Sequence, residues 1–359
     1  MSTNRRIYLD YNATSPLHPA ARAALMDAMG AVGNPSSIHE EGRRVRARIS
    51  RARAQVATLL ARPAEQIVFT SGGTEANVLG VRALAALAER DGRPRVIATT
   101  QLEHPSLRGA VASLSSRGWR VTGLDDPDAS VAAFAAVNHE LGTIEPRAFE
   151  PGLRARGVRV HVDAVQAAGK LELATLHADA IAISGHKLGA PQGTGALAVV
   201  EDQGLPLVEA GHQERGRRPG TENTLGIVGF GAAAAAVDLA RWPAVAALGA
   251  ALERGLVAIG ARIHGTGPRT GGTINAAFSN ALGESIVISL DLAGIAVSTG
   301  AACTSGSVEP SPVLLGLGLP PAEAREAVRF SLGTATTADE IEEVLRVLPA
   351  IVERARQHR

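Results

Sequence analysis

The chain has 359 residues, 45% of them hydrophobic, enough to bury a large core and to divide into two lobes. Its 36 basic and 35 acidic residues nearly cancel, so no global field draws it to nucleic acid or to a membrane surface. No apolar run reaches the length of a membrane span, no apolar signal segment follows residues 1–6, and the single cysteine, Cys303, excludes an internal disulfide framework and suits a reducing cytoplasm.

In chain order, residues 7–14 read as a short strand running into a polar turn, 19–29 as a helix and 33–37 as a loop by its turn chemistry. Residues 40–60 form a long helix with Val45, Ile49, Val56 and Leu60 inward; its arginines (Arg43, Arg44, Arg46, Arg48, Arg51, Arg53) read as a solvated face. A strand at 66–70 leads through Ser71-Gly72-Gly73-Thr74-Glu75 into a helix of Val78, Leu79, Val81, Leu84 and Leu87. Strand, glycine turn and helix start together make a phosphate cradle from bare backbone N–H groups, the helix dipole and the Thr74 hydroxyl, although such turns are common as plain structure.

Further strands are expected at 95–99, ending near His104, at 131–137, ending near His139, at 158–163, ending in Asp163, and at 178–183, ending in Ser184-Gly185-His186-Lys187. Polar groups collected at the carboxyl ends of successive strands are the pattern of a doubly wound parallel sheet. The tract 211–223 is too polar for a core and opens onto an Ala-rich helix from 224 to 241; Trp242-Pro243 marks the lobe boundary. Helices at 244–259, 284–292 and 338–356, with strands at 272–278 and 327–332, then build a smaller α+β lobe. The expected division is 15–241 for a large domain, and 1–14 with 242–359 for a small one.

Lysine use singles out one position. Only two of the 36 basic residues are lysines, Lys170 and Lys187. A chain that writes arginine for plain positive charge keeps lysine where it needs an amine, which can shift its pKa when buried and condense with an aldehyde. A strand-end carboxylate, Asp163, and a lysine one crossover later form the pair that pyridoxal phosphate requires: the amine holds the aldehyde and the carboxylate keeps the pyridine nitrogen protonated. Cys303, in a loop of small residues at 298–307 with no apolar packing around it, reads as an exposed nucleophile. Arg329, on a strand, is suited to holding a substrate carboxylate bidentately.

Assembled, these pieces resemble a cysteine desulfurase of the class V aminotransferase group, a fold-type I pyridoxal-phosphate enzyme. The resemblance runs over nearly the whole chain and rests on Ser71-Gly72-Gly73-Thr74-Glu75, on His161-Val162-Asp163-Ala164-Val165-Gln166, on Ser184-Gly185-His186-Lys187 and on Ala302-Cys303-Thr304-Ser305. It implies an α/β fold whose large domain carries a mainly parallel seven-stranded sheet. It also implies that Lys187 holds the cofactor and moves the Cα proton, that Asp163 pairs with the ring nitrogen, and that Gln166 bonds the ring hydroxyl. His104 would stack on the ring and serve in acid–base steps. Gly73, Thr74, Ser184 and His186 would hold the phosphate, joined by Thr221 of the neighbouring subunit, so a homodimer with shared sites is implied.

By the same resemblance Arg329 binds the carboxylate of L-cysteine with Asn34 as helper, and His139 stands at a contact position where the family usually has asparagine. Cys303 takes the sulfur as a persulfide, releases alanine, and passes the sulfur to an acceptor. The stretch from Cys303 to Leu314 resembles the long-loop subgroup, whose usual acceptor is an iron–sulfur scaffold protein. The segment 123–131 is shorter than the family's, and no metal is implied. The competing readings are another class V enzyme, such as a selenocysteine lyase or cysteine sulfinate desulfinase, and a non-catalytic sulfur-relay subunit that keeps the fold.

Overall fold

The computed structural model describes residues 6–200, 210–299 and 309–357, and these divide into two compact units. The larger comprises 15–137 and 145–239; the smaller comprises the N-terminal residues to Thr14, Asn138–Ile144 and the chain from Ala240 onward. The segment Asn138–Ile144, expected with the large domain, clusters with the smaller unit for a visible reason: Ile144 N–H bonds the Pro268 carbonyl, Thr143 bridges Arg269, and the Asn12 amide donates to the His139 carbonyl at 3.0 Å.

Strand β1 (Ile7–Tyr8) belongs to the smaller unit. The larger unit is built on β2 (Ile67–Thr70), β3 (Val96–Ala98), β4 (Arg120–Thr122), β5 (Val131–Ala135), β6 (Arg159–Asp163), β7 (Ala180–Ser184) and β8 (Gly195–Val199). They form one seven-stranded sheet in the order β2-β8-β7-β6-β5-β3-β4. The pairs joining β4, β3, β5, β6 and β7 are parallel, and β8 runs antiparallel to both β7 and β2. The sheet is therefore mainly parallel, as expected for this fold class. Its central strands are buried throughout because helices cover the sheet, which is why β7 reads as a continuous apolar run rather than an alternating one.

The helices of this unit are α1 (Pro19–Ala28), α2 (Glu40–Leu60), α3 (Gly73–Arg90), α4 (Pro105–Ser115), α5 (Gly152–Ala155) and α6 (Thr224–Ala235). Helix α2 starts on a His39 cap whose Nδ1 accepts the Gly42 N–H, and buries Val45, Ile49, Val56 and Leu60. Helix α3 packs on β6, β7 and β8, and its Leu79, Leu84 and Leu87 join Val68, Ile97, Leu107, Val131 and Leu197 in one core. Each such side chain, fully removed from water, contributes about 1.5–3 kcal/mol.

Three expectations need correction. The helix at 224–241 stops at Ala235, and α7 (Trp242–Ala258) begins where a break was expected; Pro243 stands in its first turn, where a missing N–H costs little. Residues 211–223 are not wholly outside the core, since Glu214 and Arg217 are buried. Nor is Arg53 solvated: its guanidinium grips the Glu214 carboxylate, and the two side chains are 15% and 1% exposed.

The smaller unit carries β9 (Arg262–His264), β10 (Thr273–Ala277), β11 (Ile295–Ala296) and β12 (Ala327–Ser331), with α7, α8 (Gly283–Leu292), α9 (Pro312–Gly316), α10 (Pro321–Ala324) and α11 (Ala338–Gln357). Strands β12, β10 and β9 form an antiparallel sheet, and β1 pairs in parallel with β11. Its core gathers Ile274, Phe278, Leu290, Phe330 and Leu348. No single helix among the described residues is long and apolar enough to cross a membrane.

Candidate active site

Within the larger unit the carboxyl ends of β6 and β7 place Asp163 and Ser184 close together, since Asp163 lies opposite Ala182 in the register. The chain leaves β7 through a tight turn, Gly185–Leu188, closed by Gly189 at φ 78°, and this turn holds His186 and Lys187. Ser15 Oγ donates to the Lys187 carbonyl at 2.8 Å and Ser15 N–H to the His186 carbonyl at 3.0 Å, pinning the turn from outside.

The charges of this group act on one another. Burial raises the pKa of the Asp163 carboxyl, while N–H groups of Val165 and Asn77 and the charges of His104 and Lys187 oppose the rise. Burial lowers that of His104, with the Lys187 and Arg108 charges adding to the fall and Asp163 opposing it. His186 is pushed down to about 4 by burial and then by Lys187, so it is neutral near pH 7.

Facing these strand ends is the start of α3. A Cβ at Gly73 would lie 2.8 Å from Val165 Cγ2 and 3.3 Å from Ser184 Cβ, and one at Gly195 would lie 2.5 Å from the Gly72 carbonyl carbon. The glycines are needed because the cradle backbone is pressed against β8 and the strand-end loops. Glu75 in the first turn accepts the Ser71 N–H at 2.7 Å and pairs with Arg218 at 3.0 Å, which ties the 218–223 loop to the cradle. Thr74 and Thr221 are exposed. Asn34 is exposed too, its Oδ1 accepting the Ser36 N–H at 2.8 Å in a local turn.

Four participants escaped the sequence reading. Lys170 Nζ donates to Gln166 Oε1 at 2.8 Å, so the second lysine also stands at this group; the scarcity of lysine was the signal for it. Asn77 and Ser106 are buried polar side chains beside Asp163 and His104, and they carry no sequence signature. Glu103 is buried beside His104, accepting from Thr100 Oγ1 at 2.6 Å and from the Ala135 N–H at 2.9 Å.

In the smaller unit Arg329 is buried in β12, donating from NH2 to Asp10 Oδ1 at 2.8 Å and from NH1 to the His139 carbonyl at 3.1 Å; its Nε is buried without a partner among the described residues. His139 Nε2 stands 3.7 Å from Glu140 Oε1, and Glu140 accepts the Ser311 hydroxyl at 2.6 Å. Cys303 lies outside the described residues.

The donor set of the larger unit fits pyridoxal phosphate. Asp163 is a buried carboxylate that accepts hydrogen bonds from the uncharged Asn77 side-chain amide and Val165 backbone N–H, an environment that favours a cationic ring nitrogen as its complement. An amine stands within its electrostatic reach, and the glycine turn opens α3 without a side-chain cap, at a helix start whose first N–H groups have no partner within the helix.

Such a sheet, with an amine and a carboxylate at its strand ends, defines a fold-type I transferase, and the aminotransferase class-V model matches residues 7–344: the chain belongs to that family. Its relatives include the cysteine desulfurase of Trichormus azollae, 41% identical, with 98% of this chain and 94% of that protein covered. Among solved structures it is similar to a NifS-like protein (TM-score 0.86, 29% identity, 97% of this chain and 100% of that one). It is also similar to SspA in complex with cysteine (TM-score 0.75, 26% identity, 92% and 100% covered).

Proposed function

We propose that the chain is a cysteine desulfurase that removes sulfur from L-cysteine, releases L-alanine and leaves a persulfide on Cys303 for transfer to an acceptor protein. The single observation that carries this is the grouping of Lys187, Asp163 and His104, each within electrostatic reach of the others, in a chain whose relatives at 41% identity are cysteine desulfurases. Pyridoxal phosphate, when bound, supplies the electron sink for breaking bonds at Cα and Cβ.

Lys187 would hold the cofactor and carry the Cα proton, Asp163 would pair with the ring nitrogen, and Gln166, oriented by Lys170, would bond the ring hydroxyl. Gly73, Thr74, Ser184, His186 and a second subunit's copy of Thr221 take the phosphate. Neutral His186 serves as a hydrogen-bonding partner there rather than as a cation. Arg329 holds the substrate carboxylate; its existing pair with Asp10 fixes the plane of the guanidinium. Asn34 and His139 complete the substrate contacts.

The Cys303 thiolate attacks the substrate sulfur, so an S–S bond forms as the C–S bond breaks. The electron pair of that bond goes to Cβ, which takes a proton and becomes the methyl group of alanine. Cβ is reduced and the transferred sulfur becomes sulfane sulfur, so no outside oxidant is needed. An iron–sulfur scaffold is the acceptor the long-loop resemblance favours, and the enzyme works as a homodimer.

The test is alanine formation from L-cysteine, with a thiol reductant, by the wild-type protein and by Cys303→Ala. Alanine from the wild type alone is the expected result. Equal turnover by both would remove Cys303 as sulfur carrier and put the lyase or desulfinase reading in its place.

A further inference from the structure

Asn77 lies in the second turn of α3 and is 1% exposed. Its Nδ2 donates to Asp163 Oδ2 at 2.7 Å and to Ser106 Oγ at 2.9 Å, and its Oδ1 lies 2.9 Å from His161 Nε2. Ser106 Oγ lies in turn 2.8 Å from His104 Nδ1, which also accepts the Ser106 backbone N–H at 3.1 Å as the cap of α4.

These contacts admit one arrangement of protons. A backbone N–H only donates, so His104 Nδ1 presents its lone pair, and the neutral ring carries its proton on Nε2. Facing a bare Nδ1, the Ser106 hydroxyl donates to it and accepts from Asn77. A flipped Asn77 amide would set its oxygen 2.7 Å from a carboxylate oxygen, acceptor against acceptor, so the NH₂ group must face Asp163. The amide oxygen then needs a donor, which makes His161 the Nε2–H tautomer.

The remaining nitrogen of His161 agrees. Burial alone pushes this ring down to about 3, so it is neutral, and its Nδ1 is buried with no partner among the described residues. That bare nitrogen is pressed against α3, where a Cβ at Gly80 would stand 2.5 Å from it.

We propose that Asn77 is a positioning residue: it ties the Asp163 carboxylate to Ser106, whose hydroxyl joins its backbone N–H in holding the Nδ1 lone pair of His104, so that His104 offers Nε2–H as a hydrogen-bond donor instead of acting as a base. This deepens the proposed function, on which it rests. A neutral imidazole with its proton held on Nε2 can polarise or stack on a bound group but cannot take up a proton at Nε2, so proton movement at Cα falls to Lys187. The same burial that lowers the pKa of His104 supports the neutral form.

The test uses full-length protein labelled with ¹⁵N-histidine, with and without added pyridoxal phosphate, and reads ring tautomers from two-bond ¹H–¹⁵N spectra. His104→Gln and His161→Gln assign the signals. In the wild type both rings are expected to show the Nε2–H pattern. Asn77→Ala is expected to convert His161 to a mixture of tautomers and, like Ser106→Ala, to shift the His104 Nδ1 resonance while the Ser106 backbone N–H keeps that nitrogen unprotonated; Ser106→Thr is expected to restore the wild-type pattern. An Nδ1–H signal for wild-type His104, or wild-type patterns for both rings in folded Asn77→Ala and Ser106→Ala, would overturn the proposal. Should Asn77→Ala not fold, the Ser106 pair decides by the same criterion. Expected tautomers in a protein that forms no alanine from L-cysteine would sink the proposed function and leave the relay standing.

Discussion

The buried pair between Arg53 and Glu214 offers a quantitative test of how the 210–223 loop is held. Arg53 NH1 and NH2 reach the two Glu214 oxygens at 2.6 and 2.5 Å, NH1 also bonds the Ile67 carbonyl at 2.8 Å, and the guanidinium lies 4.8 Å from the Phe69 ring centroid. Glu214 Oε2 also accepts the Phe69 N–H at 2.9 Å, and the loop pays for this reach with two non-glycine residues in left-handed backbone, Glu214 at φ 48° and Arg215 at φ 58°.

Arg53→Met keeps an apolar stem over Phe69 but strands a carboxylate that is 1% exposed, and breaking such a pair costs about 3–5 kcal/mol. Glu214→Leu strands the guanidinium and the Phe69 N–H, at a similar cost of about 3 kcal/mol. The double variant removes both charges and is expected to cost only about 2 kcal/mol, because the unpaired charge is what makes each single change expensive. Urea unfolding followed by far-ultraviolet circular dichroism measures all four proteins. Single-variant costs that add to within about 0.5 kcal/mol in the double variant would refute the reasoning.

Burial pushes the Glu103 carboxyl up to about 8 from an ordinary 4.5, outweighing the hydrogen bonds from Thr100 and Ala135. The folded state then binds the proton more tightly than the unfolded one. The stabilisation present below pH 4.5 is lost as pH rises to about 8, with a slope of up to about 1.4 kcal/mol per pH unit; Glu103→Gln should flatten it, and equal slopes in stability–pH curves would count against this. Gly195→Ala drives a Cβ to 2.5 Å from the Gly72 carbonyl carbon. It should cost about 1–3 kcal/mol and weaken pyridoxal phosphate binding about tenfold in equilibrium dialysis, an unchanged affinity being the contrary result. Lys170→Met releases the Gln166 amide and should weaken cofactor binding by about 1 kcal/mol, roughly fivefold, with a shifted cofactor absorption band; an unaltered spectrum and affinity would show that the contact orients nothing.

Much of the fold was legible because its signals are local. The run over Ala180–Ser184 is apolar in every residue but its last, and the inward spacing of α2 repeats over five turns, so both elements are fixed by short-range pattern. Strand β8 went unread, although it seats β2 in the sheet, because a glycine opens it; that glycine is required by the approach of the Gly72 backbone, a contact between residues far apart in sequence. Strand β4 went unread because it is three residues long with Arg120 and Val121 exposed, which leaves little period to detect. The helix boundary near Trp242 was misplaced because proline breaks a helix interior but suits its first turn.

For the site, the chain alone supplied the groups on which the proposed chemistry rests: an amine where arginine is otherwise written, a carboxylate at a strand end, a glycine turn before a helix, and one thiol among small residues. Those follow from residue type and position along one strand or turn. Tertiary structure alone decided which polar side chains stand behind them. Asn77, Ser106, Glu103 and Lys170 look like ordinary helix and loop residues until the sheet register brings four separate segments together, and His161 reads as an inward strand residue until its neighbours determine which nitrogen holds the proton. Hydrogen-bond direction depends on every partner at once, and those partners are set only when the chain has folded.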